Sequence, residues 1–135
     1  MCAPEDKKYR LTPIQRDKVQ QMFAGLCAYC GKPLGGLWHV DHRVPVRRGW
    51  KAETLKQFGL GDRGEHIPEN FFPSCTRCSQ LKGALTVEEF RGRVRAAVAL
   101  AKQESCNTRL ALDFKLLRQA HSPKIKFHFE EVWDV

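Results

Sequence analysis

The sequence predicts an α+β fold, and three of its features support that prediction. Capping boxes, which mark the starts of helices, occur at Thr12 and at Thr86. Residues 38–46 and 71–73 have instead the aromatic and β-branched composition of short strands. The chain also carries two pairs of cysteines, each with two residues between its members. Its 135 residues suffice for one compact core, so we expect residues 1–135 to form a single domain.

The first predicted element is an N-terminal helix within residues 11–25. Thr12 can cap it, Pro13 suits its first turn and Gln15 completes the capping box, while Gly25 provides the stop. A central section, 27–86, is broken by glycines and prolines. Within it we expect a strand or hairpin arm at 38–46, one or two helical turns at 52–58 and a short second arm at 71–73.

A C-terminal extension, 87–135, is predicted to contain helices and a final strand. From Thr86 a helix continues to about Glu104, with apolar residues at helical spacing. A further helix is expected over 108–120 with its leucines facing inward. Apolar and polar residues alternate over 125–130, which predicts a half-buried strand. We expect this extension to pack against the central section.

The two cysteine pairs have the spacing of metal ligands. Cys27 and Cys30 form the first Cys-x2-Cys pair, and Cys75 and Cys78 form the second. Each pair lets two sulfurs converge on one ion, and four thiolates complete a tetrahedral Zn²⁺ site. Two disulfides are the alternative, but they need an oxidising compartment. We therefore predict a structural zinc ion whose closed sulfur shell leaves no position for a substrate.

The charge of the chain favours a polyanionic partner. Lys and Arg total 23 against 15 Asp and Glu, which gives a net charge of +8. Residues 43–63 are especially basic and include Arg43, Arg47, Arg48 and Lys51. Basic side chains gain affinity for nucleic acid by releasing counterions from phosphates. A merely solvated basic loop would have the same composition.

The polar start of the chain and the lack of a long apolar run indicate neither a signal peptide nor a transmembrane segment. We expect a cytoplasmic protein with no membrane partner.

Four blocks of the sequence together resemble the HNH endonuclease family. They are Cys-Ala-Tyr-Cys-Gly-Lys at 27–32, Val-Asp-His-Arg-Val-Pro at 40–45, Pro-Glu-Asn-Phe-Phe-Pro at 68–73 and Cys-Thr-Arg-Cys-Ser-Gln-Leu-Lys-Gly at 75–83. The resemblance implies a ββα-metal (His-Me finger) core within 27–86, stapled by the four-cysteine zinc site.

The resemblance also implies roles for individual residues. His42 is similar to the general base, and an imidazole suits that role because its ordinary pKa lies near neutrality. Asp41 is similar to a ligand of a catalytic Mg²⁺ or Mn²⁺ ion. Asn70 is similar to the asparagine that fixes the loop and orients the histidine. Where the family has His or Asn as a second metal ligand, this chain has Ser79, a weaker ligand, so His39 or His66 could hold the ion instead.

These observations predict a metal-dependent DNA endonuclease, a hydrolase that contacts the phosphate backbone through Arg43, Arg47, Arg48, Lys51 and Lys82. Because of Ser79, a zinc-stapled module that binds nucleic acid without cutting it is the main alternative. A zinc domain that binds proteins is the third possibility.

Overall fold

The structure, a computed structural model, describes residues 10–47, 51–58, 64–121 and 123–133. They form a mixture of helices and sheet, so the α+β prediction is confirmed at that level. In chain order the elements are α1 (Pro13–Gln21), β1 (Trp38–His42), α2 (Ala52–Gln57), a 3₁₀ turn (Pro68–Asn70), β2 (Phe71–Cys75), α3 (Thr76–Lys82), α4 (Val87–Arg95), α5 (Ala97–Glu104), α6 (Cys106–Asp113) and α7 (His128–Trp133). None of the described helices is long and apolar enough to cross a bilayer.

A two-stranded antiparallel sheet carries the residues on which the predicted chemistry depends. β1 and β2 pair with Trp38 opposite Cys75 and with His42 opposite Phe71. β1 is shorter than the predicted 38–46, because the chain leaves the sheet after His42. Helix α3 follows β2 directly, with Cys75 as its N-cap. The sheet thus places Asp41 and His42 beside the first residues of β2, and the last residue of β2 is Cys75.

The core is an aromatic cluster built around Tyr29. Its ring makes edge-on contacts with four phenylalanine rings at centroid distances of 5.4–6.1 Å: Phe72, Phe90, Phe127 and Phe129. Each of these side chains is buried. Edge-to-face packing is a favourable arrangement for aromatic pairs. The cluster joins the first cysteine pair to β2, to α4 and to the C-terminal segment, so the extension contributes directly to the core.

The predicted strand over 125–130 is wrong, because α7 begins at His128. The backbone amide of Phe127 donates to the Glu130 carboxylate at 2.9 Å, a contact of the kind that starts a helix. The amides of His128 and Phe129 donate to the carbonyls of Tyr29 and Ala28. Phe127 and Phe129 are nevertheless buried in the core. The alternating pattern therefore predicted their burial correctly but predicted the wrong secondary structure.

The other C-terminal helices also differ from expectation. The helix predicted from Thr86 to Glu104 is divided at Ala96 into α4 and α5, and the helix predicted over 108–120 ends at Asp113. Leu116 and Leu117, expected to face inward, are 81% and 53% exposed. Arg91 secures α4 to the C-terminal segment through two 2.8 Å contacts with the Glu130 carboxylate.

Candidate functional site

The four paired cysteines converge at one point. Their sulfur atoms all lie within 4.8 Å of one another, and the Cys30 and Cys75 sulfurs are 3.8 Å apart. Backbone amides also donate to sulfur, among them that of Cys75 to Cys27 and that of Cys78 to Cys75, each at 3.4 Å. Gly31, with a positive φ, turns the chain immediately after the first pair.

This arrangement fits a zinc ion. Sulfurs bound at about 2.3 Å in a tetrahedron lie about 3.8 Å from each other, which is the Cys30–Cys75 separation. The four cysteines are free thiols, and no disulfide joins them. Four cysteines this close together can bind zinc, as the spacing predicted.

Hydrogen bonding distributes protons unevenly within the cysteine cluster. The contact with the Cys78 thiol lowers the pKa of Cys27 to about 4. The same contact, followed by burial, raises the pKa of Cys78. Neighbouring thiolates repel one another, whereas a bound cation allows all four sulfurs to be deprotonated. The electrostatics of the cluster therefore favour a divalent ion at its centre.

Asp41 points into the protein interior, where it meets two donors. Its Oδ2 accepts a short hydrogen bond from the Tyr29 hydroxyl and lies 3.1 Å from the Lys82 ammonium. Burial raises the pKa of the Asp41 carboxyl, while Lys82 and the Tyr29 hydroxyl act in the opposite direction. Burial also raises the pKa of Tyr29, so its hydroxyl remains a donor. Within the described residues Oδ1 makes no hydrogen bond, and it is the oxygen that could bind a cation.

Lys82, which the sequence predicted as a phosphate contact, is buried in the structure. Its side chain has 0% of its surface exposed, and its ammonium donates to the His42 carbonyl at 2.9 Å in addition to pairing with Asp41. A buried lysine is normally paired in this way. Lys82 therefore ties α3 to β1 and is not available at the surface.

His42 faces the side of β1 opposite to Asp41, since successive strand residues alternate. Its Nε2 lies 2.9 Å from Nδ1 of His66, and both rings pack against Phe71, with centroid distances of 5.7 and 4.8 Å. Both histidines are partly exposed. The structure therefore brings His66 to the predicted base, while His39 is exposed elsewhere on β1.

Asn70 holds the loop that follows His42. Its amide nitrogen donates to the carbonyls of Val44 and Glu65, at 2.9 and 3.0 Å, and its amide oxygen accepts from the Val44 amide at 2.8 Å. The Asn70 carbonyl accepts from the amide of Arg43 at 3.0 Å. The side chain is buried, so these bonds are shielded from water. Asn70 thus fixes the backbone on both sides of the histidine pair.

A cleft of about 340 Å³ borders the Asp41-His42 pair. Arg47 lines it together with both of those residues. Arg47 has a positive φ of 49°, an uncommon conformation for a residue with a side chain, and its Nε is buried without a hydrogen-bond partner among the described residues. Glu89 approaches its guanidinium only to 4.0 Å. The Arg47 guanidinium at the edge of this cleft therefore has one buried donor without a partner among the described residues.

Among the described residues, Arg43 and Lys51 do not line this cleft. Arg43 lines a separate cleft beside Arg91 and Glu130, and Lys51 is exposed next to α2. Arg48 lies outside the described residues. Ser79 is partly buried on α3 and is not among the residues lining the cleft with Asp41.

Sequence reasoning did not single out Tyr29. Tyr29 is buried in the structure, and a buried tyrosine hydroxyl usually needs a hydrogen-bond partner, which here is Asp41. The sequence indicates His66 only as an alternative metal ligand, since nothing in its spacing connects it to His42 across residues 43–65.

Comparison with known proteins supports the same general interpretation. The chain is 24% identical over 84 residues to the "SPbeta prophage-derived putative HNH endonuclease YoqL" of Bacillus subtilis (strain 168). The match covers 62% of this chain and 34% of that protein, so the chain spans about a third of the length of its relative. No protein-family profile matches the chain, and no solved structure matches it. The relative and the cysteine cluster together suggest the HNH family and support a nuclease at most.

Proposed function

We propose that the protein is a metal-dependent endonuclease that hydrolyses phosphodiester bonds of DNA. The observation that carries this proposal is the cleft of about 340 Å³ that Asp41, His42 and Arg47 line together. The residues that line it carry a potential base, a carboxylate and a guanidinium. The relative described as an HNH endonuclease agrees with this chemistry.

His42 is proposed as the general base. Its imidazole takes a proton from water, whose oxygen attacks the phosphorus while the bond from phosphorus to the 3′ oxygen breaks. The departing 3′ oxygen then takes up a proton from solvent water. The products are a 5′ phosphate and a 3′ hydroxyl. Asn70 keeps the loop after His42 in place, and such positioning is a substantial part of catalysis.

Arg47 is proposed to bind the phosphate, because guanidinium donors pair well with phosphate oxygens. Arg43 and Lys51, with Arg48 from outside the described residues, are proposed to contact more distant parts of the backbone. The net charge of +8 on the whole chain also attracts a polyanionic substrate.

Asp41 is the proposed protein ligand of Mg²⁺ or Mn²⁺ through Oδ1. One carboxylate is the smallest protein contribution with which Mg²⁺ is usually bound, and water and substrate phosphate then supply the other oxygens. Ser79 adds at most a neutral hydroxyl. Such an ion, when bound, neutralises charge that develops on the phosphate and on the departing oxygen. Lys82 holds Oδ2 and so fixes the orientation of the carboxylate.

A plasmid-cleavage assay with and without Mg²⁺ tests the proposal. We expect His42→Ala to lower the cutting rate by roughly 10²–10⁴-fold, the usual contribution of a general base. His39→Ala is the matched control, because His39 is exposed on the same strand, and it should cut like the wild type. Equal rates for wild type and His42→Ala would refute the assignment of the base.

A zinc-stapled module that binds nucleic acid without cutting it is the second candidate. It is favoured by the engagement of Asp41 with Lys82 and Tyr29, together with Ser79 in place of a stronger ligand. This candidate predicts salt-sensitive binding and no product with any divalent ion. Gain of cutting in Ser79→Asn would identify the missing ligand as the limiting feature.

A further inference from the structure

His42, the proposed base, shares a hydrogen bond with a second histidine through one of its two ring nitrogens. Its Nε2 lies 2.9 Å from Nδ1 of His66. At that separation one nitrogen donates a proton and the other accepts it with its lone pair. The position of that proton therefore decides which nitrogen of His42 has a lone pair for chemistry.

The proton between the two rings can belong to either histidine, and the two arrangements differ in what His42 can do. If His66 donates, Nε2 of His42 is the acceptor and the proton of the neutral His42 ring is on Nδ1, so both nitrogens are engaged. If His42 donates from Nε2, its lone pair is on Nδ1, where the ring can accept a proton. Only the second arrangement agrees with the role proposed for His42.

The segment that carries His66 is fixed to the loop that follows His42. The Gly64 amide donates to the Pro45 carbonyl at 2.8 Å. A Cβ on Gly64 would lie 1.9 Å from the Val44 carbonyl oxygen, so this close approach requires glycine. The contact between the two imidazoles is thus supported by the backbone on both sides.

Asn70 adds a second connection between the same two segments. Its amide nitrogen donates to the carbonyls of Val44 and Glu65 at 2.9 and 3.0 Å. The next residue, Phe71, packs against both imidazole rings. Both rings are therefore positioned before a substrate arrives, which is the condition for an effective base.

The two histidines differ in their access to the cleft. His42 lines it together with Asp41 and Arg47, whereas His66, which the structure also describes, is not one of the lining residues. His66 contacts the Phe71 ring and the His42 ring instead. It can therefore influence a substrate in the cleft through His42.

We infer, building on the proposed function, that His66 is a positioning residue: it accepts a hydrogen bond from the Nε2–H of His42 and so makes Nδ1 of His42 the nitrogen that takes the proton from water. The bond to His66 stays intact during this step, and His42 releases the added proton to solvent afterwards. A charged imidazolium donates more strongly than a neutral ring, so the bond to His66 strengthens as the proton arrives. An interaction that is stronger in the transition state than in the ground state raises kcat.

NMR spectra of the ring nitrogens in the zinc-loaded wild type locate the proton without nucleic acid. The chain has five histidines, and the signals of His42 and His66 are identified by their loss in His42→Ala and His66→Asn. At about pH 8.5, where histidine rings are uncharged, we expect His42 to carry its proton on Nε2 and His66 to have none on Nδ1. A neutral His42 ring with its proton on Nδ1 would overturn the inference.

Two substitutions of His66 separate its hydrogen bond from its packing. His66→Leu retains an apolar contact with Phe71 but has no acceptor, whereas in His66→Asn the side-chain oxygen is bonded to Cγ as Nδ1 is and can accept from His42. In plasmid cleavage with Mg²⁺ we expect His66→Leu to lower kcat by roughly 10- to 100-fold, as for loss of a hydrogen bond to a charged group, with little change in KM. His66→Asn should recover most of that loss. His121→Leu, at an exposed position, is the control and should cut like the wild type.

Zinc content and circular dichroism show whether each variant is folded, and the wild-type spectrum decides the question if the His66 variants are not. A kcat in His66→Leu equal to that of the wild type would overturn the inference and leave His42 as the base. A loss in His66→Asn as large as in His66→Leu would also overturn it, because His66 would then have only a structural role. Undiminished cutting by His42→Ala would instead refute the proposed base, on which the inference rests.

Discussion

Replacing Lys82 with methionine tests the most unexpected contact in the site. The lysine side chain has no exposed surface, pairs with Asp41 at 3.1 Å and donates to the His42 carbonyl at 2.9 Å. Methionine retains much of the apolar stem but leaves Asp41 with only the Tyr29 hydroxyl. Breaking a buried ion pair by removing one partner costs about 3–5 kcal/mol. We expect a loss near 3 kcal/mol, because Asp41 can take up a proton and so limit the cost.

The loss should also depend on pH. Burial already raises the pKa of Asp41, and removing Lys82 removes the strongest opposing influence. An acid with a raised pKa in the folded state favours folding when protonated, and that contribution is lost as pH rises through its folded pKa. The penalty of Lys82→Met should therefore be smaller in acid and grow toward neutral pH.

Thermal and urea unfolding at fixed free zinc measure this effect, since zinc binding itself stabilises the fold. The expected loss corresponds to a melting temperature lower by roughly 10 °C. Lys102→Met, at an exposed position on α5, is the control and should change stability by no more than about 0.5 kcal/mol. In the double variant Asp41→Asn/Lys82→Met the loss should be smaller than the sum of the single losses. A loss below about 1 kcal/mol in Lys82→Met would refute the buried pair.

Two further predictions concern the zinc cluster and the loop. Cys75→Ser should release zinc and unfold the central section, as measured by metal content and circular dichroism, whereas Cys106→Ser, an exposed cysteine outside the cluster, should retain both. Asn70→Ala should cost about 2–4 kcal/mol in urea unfolding, because three buried hydrogen bonds are lost. Asn70→Asp should be no better, since a carboxylate would face two carbonyl oxygens; stability equal to the wild type in either variant would contradict the proposed clamp.

Short sequence motifs correctly predicted where two helices begin, because a helix start depends on residues that are close together in the sequence. Thr12 and Thr86 both form complete capping boxes, because the Gln15 and Glu89 side chains lie one turn away. Local patterns failed at the C-terminus, where the alternation of Phe127 and Phe129 suggested a strand. Their burial is decided by contact with Tyr29, about a hundred residues earlier, and either secondary structure could satisfy it.

By itself the sequence determined the chemistry available to this protein: four thiols at ligand spacing and an adjacent carboxylate and imidazole. These follow from residue type and short spacing, which folding does not change. Only the tertiary structure decided which partners those groups meet. Strand alternation and the packing of α3 direct Asp41 to Lys82, and the return of the chain through Gly64 brings His66 to His42. Such partners come from distant segments, so no local pattern could have specified them.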